Sequence, residues 1–373
     1  MSERASTEAP ATLEGLIQGW DGVAVVSRFD AESGSWLFVA LHDDTLGRPT
    51  GGTRLKSYGS PAEGLRDAMR LAAGMTEKWA VAGVPFGGAK GVIAVPGPVE
   101  GEARRALLHR YGALVESLGG AFGTGEDLGT TPEDMAEVAR TTRHVLGGHG
   151  GGGLLLDPGP FTARGVVAAM RASLARVFGS DDLAGRRVAV QGVGDVGAPL
   201  ARLLADAGAT LVLADTDGGR LDALAGELSA GTASPEEIAT VACDVYAPCA
   251  VGATVNETSI PRLACRIVCG SANNQLAEDA DADRLHRAGI LYAPDYVANA
   301  GGAIAFGRLA ADPDATRDDL HARVDAIRGI LDEVFAEAAE SDESPLQAAR
   351  RRVERTLEEG RRLRAAGTIP PRR

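Results

Sequence analysis

Between Trp20 and about Ala94, short apolar runs (GVAVVSRF, WLFVALH and GVIAV) read as strands around one clear helix. That helix opens at Ser60-Pro61-Ala62-Glu63, where a serine N-cap, proline at N1 and glutamate at N3 predict a capping box. Its apolar stripe includes Leu65, Met69, Ala72 and Met75. Lys78, three residues past Met75 and seven past Leu71, falls on or beside the stripe. An ammonium there either meets an anion or snorkels out at the helix end. Further helices are expected near 101–118 and after Thr131-Pro132-Glu133-Asp134. The run 147-GGHGGGG-153 marks a hinge or linker and the domain boundary. Beyond it strands and helices alternate, as in a parallel α/β domain, with strands expected at 187–191, 210–214, 243–247, 266–269 and 289–293. After about residue 315 two amphipathic, charge-rich helices finish the chain, and residues 1–12 read as disordered.

A chain of 373 residues, 45% of them hydrophobic, suits two domains with real cores. Its net charge of −13 argues against general affinity for nucleic acid or an anionic membrane. The polar start MSERASTEAPATLEG has no secretory apolar core, and no window approaches a membrane span, so a cytoplasmic protein is expected. The four cysteines lack CxxC pairs and flanking histidines; Cys243, Cys265 and Cys269 read as reduced core residues, and no metal site is expected. Of the 38 basic residues only Lys56, Lys78 and Lys90 are lysine, and two of them fall within 75-MTEKWAVAGVPFGGAK-90. A guanidinium stays protonated at physiological pH, whereas a buried ammonium can titrate. The clustering is either chance or a demand for such an amine.

The run 187-RVAVQGVGDVGAPLARLLADAGATLVLAD-215 reads as a βαβ unit. Gly192, Gly194 and Gly197 form G-x-G-x-x-G directly after a strand: the first permits a tight turn, the second a close pyrophosphate, the third close helix–strand packing. The turn Gly192-Val193-Gly194-Asp195-Val196-Gly197 would lead the pyrophosphate onto a helix N-terminus. Asp215 ends the next strand, where its carboxylate would accept the ribose hydroxyls of NAD and repel a 2′-phosphate. Arg220 nearby keeps NADP open.

Two further clusters are rich in groups a core would not choose: 123-GTGEDLGTT-131, and 271-SANNQL-276 with 294-PDYVANAGG-302. Singly they read as turns and Asx-type caps. Together with GGTR at 51–54, GGAK at 87–90, GEDLGTTPEDM at 125–135, QGVGDVG at 191–197, APCAVGATVNETSIP at 247–261 and YAPDYVANAGG at 292–302, they keep one order along residues 45–305. This set resembles the amino-acid dehydrogenase family that includes leucine, phenylalanine, valine and glutamate dehydrogenases, and most of all its leucine branch.

The resemblance implies two α/β domains with the active site in a cleft between them, the second a Rossmann-type doubly wound parallel sheet. The expected boundaries are 13–150 for the substrate and catalytic domain, 151–325 for the NAD-binding domain and 326–373 for helices returning to the first. It implies reversible oxidative deamination of a neutral L-amino acid to a 2-oxo acid and ammonia, with NAD as acceptor, in a homo-oligomer. Carried over, Lys78 binds the substrate α-carboxylate, Lys90 is the catalytic lysine, Asp127 relays protons and Asn299 helps hold the substrate. Thr162 and Asn274 line the nicotinamide end, and Cys249 and Ala250 lie near the nucleotide. Gly51 and Gly52 belong to the substrate site. Thr50, before them, faces the end of the substrate side chain, where glutamate dehydrogenases place a lysine. Gly125 borders the same pocket; leucine-type enzymes tend to have alanine there and phenylalanine-type enzymes glycine.

The chemistry agrees. Water attack on an iminium needs a base with a pKa near the working pH, and a dry site with a second cation lowers an amine's pKa toward it. Lys78 is the expected second cation for Lys90. Two alternatives stand beside this reading. A glutamate dehydrogenase would need a cation where the side chain ends. A catalytically silent NAD-binding regulator has no need of Lys78, Lys90 and Asp127 together.

Overall fold

The computed structural model describes residues 12–146, 157–312 and 314–366. The glycine-rich run at 147–153 lies outside them, as do residues 1–11 of the expected disordered start. The described residues divide into two compact units. One holds the residues before Ala80, those from Pro85 to Leu146 and those from Gly360; the other holds Ala80–Val84 and the residues from Asp157 to Glu359.

The first unit is built on strands β1 (Ala24–Asp30), β2 (Ser35–Asp43), β3 (Pro49–Ser57), β4 (Gly87–Val95) and β5 (Gly123–Glu126). Their order is β1-β2-β4-β3-β5, with β1, β2 and β4 antiparallel in turn and β3 parallel to both β4 and β5. Helices α1 (Leu13–Gln18), α2 (Pro61–Val81), α3 (Gly101–Ser117) and α4 (Pro132–Val138) accompany it. Alternation along β2 and β4 sends residues to opposite faces. Phe38, Ala40, Val92 and Ala94 pack on Leu65, Met69 and Ala72 of α2. Leu37, Val39 and Ile93 pack on Leu107, Tyr111 and Met135 of α3 and α4.

Local signals account for the helix starts. The Ser60 hydroxyl accepts from the Glu63 N–H at 3.3 Å, while the Glu63 carboxylate reaches past the cap to the Gly59 N–H at 3.0 Å. Thr131 and Asp134 form a complete capping box on α4. Such caps contribute about 1 kcal/mol each.

The second unit carries β6 (Arg187–Gln191), β7 (Thr210–Ala214), β8 (Gly231–Thr232), β9 (Val245–Pro248), β10 (Ile267–Val268) and β11 (Leu291–Tyr292). They form one parallel sheet in the order β11-β10-β9-β6-β7-β8. This is the doubly wound order, which reverses between β6 and β9, where such sheets open a crevice for a ligand. Helices α5 (Pro158–Phe178), α6 (Gly197–Asp206), α7 (Gly218–Leu228), α8 (Ala280–Arg287), α9 (Asp295–Ala298) and α10 (Gly301–Ala311) follow the alternation. The two helices expected after residue 315 are three: α11 (Arg317–Asp325), α12 (Ile327–Ser341) and α13 (Pro345–Ala365). Ala326 ends one and begins the next, a break with no glycine or proline to announce it. Of these expected returning helices, α12 packs on α5 in the second unit, and only residues from Gly360 group with the first. Among the described residues no helix is long and apolar enough to cross a membrane, and no group of three or more His, Cys, Asp or Glu side chains could hold a metal ion.

Candidate active site

In the first unit, β4 is buried along its whole length, and Lys90 lies at its centre with its side chain 6% exposed. Its Nζ donates to Asp127 Oδ1 at 2.6 Å. Asp127 follows β5 directly, and its Oδ2 accepts from Arg54 Nε at 2.9 Å. Arg54 is on β3, in register with Val92, so it shares the α2 face of the sheet with Lys90. Its Nη1 donates to Oδ2 of Asp67, on α2, at 2.9 Å. The Tyr58 hydroxyl donates to the same oxygen at 2.7 Å, and Arg70 donates to Oδ1 at 2.8 Å. Lys90, Asp127, Arg54 and Asp67 thus form a row of alternating charge. Burying an unpaired charge costs several kcal/mol, and alternation offsets most of that cost.

Burial pushes the Lys90 amine below the usual lysine value; Asp127 opposes the shift and Arg54 adds to it. Burial alone would raise the Asp127 carboxyl, but Lys90 and Arg54 override it and hold the group down to about 2. Arg54 is thus a cation that lowers the Lys90 pKa, the part for which sequence reasoning named Lys78. Lys78 is half-buried on α2, directly before the buried Trp79.

The glycines beside this row keep the backbones close. A Cβ on Gly52 would lie 2.5 Å from the Glu126 carbonyl and 2.9 Å from the Asp127 Cβ, and one on Gly51 would strike the Ala89 carbonyl. Gly125, opposite Gly52 in register, differs: a Cβ there meets nothing within 4 Å. Thr50 is buried, its hydroxyl donating to the Arg48 carbonyl at 3.0 Å and its own carbonyl accepting from Trp79 Nε1 at 2.9 Å. It brings no charge to its surroundings.

In the second unit, Gly192 follows β6 with a φ of 95°, a left-handed conformation that L side chains avoid. A Cβ on Gly197 would lie 1.9 Å from the Gly192 carbonyl, whereas one on Gly194 would meet only the Arg220 guanidinium, at 3.4 Å. The turn is thus closed at its first and third glycines and open at its second. Val193, Asp195 and Val196 complete it, leading into α6. The Asp215 carboxylate accepts the Val193 N–H at 2.7 Å and the Asp217 N–H at 2.9 Å, which ties the end of β7 to the turn. Arg220 pairs with Asp217 at 3.3 Å. Cys249 and Ala250 come off β9 beside the turn: the Cys249 N–H donates to the Gln191 carbonyl at 2.7 Å, and a Cβ on Gly192 would lie 2.7 Å from that of Ala250.

A second group gathers past β10. Asn299 Nδ2 donates to the Ser271 carbonyl at 3.2 Å and to Asn273 Oδ1 at 2.8 Å, leaving its own Oδ1 buried without a partner. The Thr162 hydroxyl accepts the Gly302 N–H at 3.2 Å. Asn274 has a φ of 52°, and its carbonyl accepts the Ala253 N–H at 2.7 Å. The structure therefore collects Lys90, Asp127, Gly52 and Gly125 in one unit, and the glycine turn, Asp215, Cys249 and Ala250 in the other. Arg54, Asp67 and Tyr58 were missed. Arg54 stood within GGTR, two residues past Gly52 on a strand and so on the same face. Asp67 and Tyr58 carry no local signal.

The chain is similar to known proteins over most of its length. The sequence matches the family description "Glu/Leu/Phe/Val dehydrogenase, dimerisation domain" over residues 34–144. It matches "Glutamate/Leucine/Phenylalanine/Valine dehydrogenase" over 152–224 and 214–356. It is 43% identical to a leucine dehydrogenase of Bacillus cereus over 288 residues, 77% of this chain and 78% of that one. It is 40% identical to the leucine dehydrogenase of Geobacillus stearothermophilus over 338 residues, 90% of each chain. The crystal structure of L-tryptophan dehydrogenase from Nostoc punctiforme superposes with a TM-score of 0.77 at 33% identity, covering 94% of this chain and all of that one.

Proposed function

The chain belongs to the Glu/Leu/Phe/Val dehydrogenase family, and from that membership we propose an NAD-dependent dehydrogenase of branched aliphatic L-amino acids with Lys90 as its base. The residues of the second unit fit a dinucleotide. The open side of Gly194 admits a pyrophosphate at the N-terminus of α6 and Asp215 retains lone pairs for ribose hydroxyls, while the unpartnered Asn299 Oδ1 is left to accept an N–H of the substrate. Pairing of Arg220 with Asp217 supports NAD over NADP. When bound, NAD would accept the hydride from the substrate α-carbon.

The chain's own residues supply the rest. Lys78 pairs with the α-carboxylate. Lys90, its pKa lowered by burial, takes the proton of the water that attacks the iminium carbon. Asp127 Oδ1, 2.6 Å away, stabilises the ammonium so formed and relays that same proton from Lys90 to the departing nitrogen, and Lys90, neutral again, takes the proton of the carbinolamine hydroxyl as the C–N bond breaks. The products are the 2-oxo acid and ammonia. The uncharged Thr50 leaves a substrate carboxylate without a partner, which disfavours glutamate by several kcal/mol. A homo-oligomer accords with the dimerisation domain named in the matched family.

The observation that carries this reading is the buried Lys90–Asp127 contact in a chain that uses arginine almost everywhere else. NADH appearance with a panel of L-amino acids at alkaline pH tests it. Leucine or valine should lead, with measurable turnover of phenylalanine. Glutamate as the best substrate, or NADP preferred to NAD, overturns it.

A further inference from the structure

Arg54 touches two carboxylates of the first unit, Asp127 and Asp67, and serves no purpose in the mechanism above. Its Nε holds Asp127 Oδ2 at 2.9 Å, and its Nη1 holds Asp67 Oδ2 at the same distance. All three side chains are at most 16% exposed. Asp67 is itself fixed by Tyr58 and Arg70. A planar guanidinium that bridges two anchored carboxylates sets the plane of both, which the single ammonium of a lysine does not do.

We propose that Arg54, braced by Asp67, is a positioning residue that locks Asp127 so that only its Oδ1 exchanges protons with Lys90. The proposal rests on Lys90 being the base. Rotation of the Asp127 carboxylate would bring Oδ2 toward Lys90 and displace the hydrogen bond; the Arg54 bond to Oδ2 prevents it. The same bridge balances the charge around Lys90. The groups facing it are Asp127 after β5, Arg54 from β3, and Asp67 from α2 with Tyr58 and Arg70 behind it; the residue opposite on β2 is the uncharged Ala40. The helix α2 also carries Lys78. Arg54 opposes protonation of Lys90 and Asp67 favours it.

Opposite signs give the test. Arg54→Gln, Arg54→Lys and Asp67→Asn are compared in the full enzyme through kcat, KM and the pH dependence of kcat, with Lys90→Ala alongside. Each of the three should lose about 10–100-fold in kcat with little change in KM for the amino acid, the scale of a small misplacement. The acid limb of kcat should move up in Arg54→Gln and down in Asp67→Asn, by on the order of one pH unit. Arg54→Lys should keep its limb near wild type yet stay slow, because the charge is retained and the bridge is lost. Limbs that stay put or move together, or full activity in Arg54→Lys, overturn the proposal. If Arg54→Gln does not fold, a slow Arg54→Lys with its limb in place beside a lowered limb in Asp67→Asn supports the proposal, and any other pairing overturns it. An inactive Lys90→Ala beside unmoved limbs removes the role of Arg54 alone, whereas an active Lys90→Ala removes the base assignment and this proposal together.

Discussion

Lys90, Asp127, Arg54 and Asp67 reach one another from two strands, a loop and a helix, through side chains alone, at 2.6 to 2.9 Å. In the second unit Gly192, Gly194 and Gly197 make a turn within six consecutive residues, through backbone alone. The first arrangement depends on charges kept in balance away from water, so a change at one member is felt by all. The second depends on the absence of side chains, so a change is felt as steric obstruction. Substitutions in the first unit should therefore alter rate and pH dependence, and those in the second should alter dinucleotide affinity.

The largest break in that comparison is Lys90→Ala. Turnover should fall by at least about 100-fold, the usual loss for a general base, while NADH binding followed by fluorescence stays nearly unchanged. Asp127→Asn should act on stability as well as rate. The folded carboxyl sits at about 2, below the ~3.9 of an unfolded chain. Its contribution is thus fully present above about pH 4 and is lost as pH falls toward 2. Urea unfolding across that window should show the wild type losing on the order of 2 kcal/mol more than the variant.

In the second unit, Gly197→Ala places a Cβ 1.9 Å from the Gly192 carbonyl, so the turn must shift. KM for the dinucleotide should rise about tenfold, equivalent to about 1.4 kcal/mol, with KM for the amino acid unaltered. The smallest effect is at Gly125, where a methyl meets nothing within 4 Å. Gly125→Ala should fold normally and shift the kcat/KM ratio of leucine to phenylalanine toward leucine, by about 1–3 kcal/mol at most. An unchanged ratio would show that Gly125 borders no substrate pocket, and a shift toward phenylalanine would overturn this reading of the pocket.

The same contrast explains what the sequence made legible. The glycine turn, the strand before it and Asp215 after it lie within thirty residues, and each signals its neighbour. The caps at Ser60 and Thr131 are equally local. Strands β1, β2 and β4 follow from their apolar runs, but the nine-residue β3 (PTGGTRLKS) has no such run, and β8 is two exposed residues with no pattern to read. The charged row is non-local. Asp67 looks like any polar helix residue until the fold sets it against Arg54, and Arg54 itself reads as one arginine among many until it meets Asp127. Lys90 stood out for a chemical reason, the rarity of lysine in the chain, which survives without any contact map.

That rarity leads to the most direct test of the central claim, that Lys90 works by losing its proton. Lys90→Arg keeps a positive charge beside Asp127 but cannot deprotonate. Pre-steady-state and steady-state turnover of leucine, measured beside Lys90→Ala, should show the two variants equally inactive at every pH. Substantial activity in Lys90→Arg would contradict the account, because it would mean that position 90 serves only as a fixed charge.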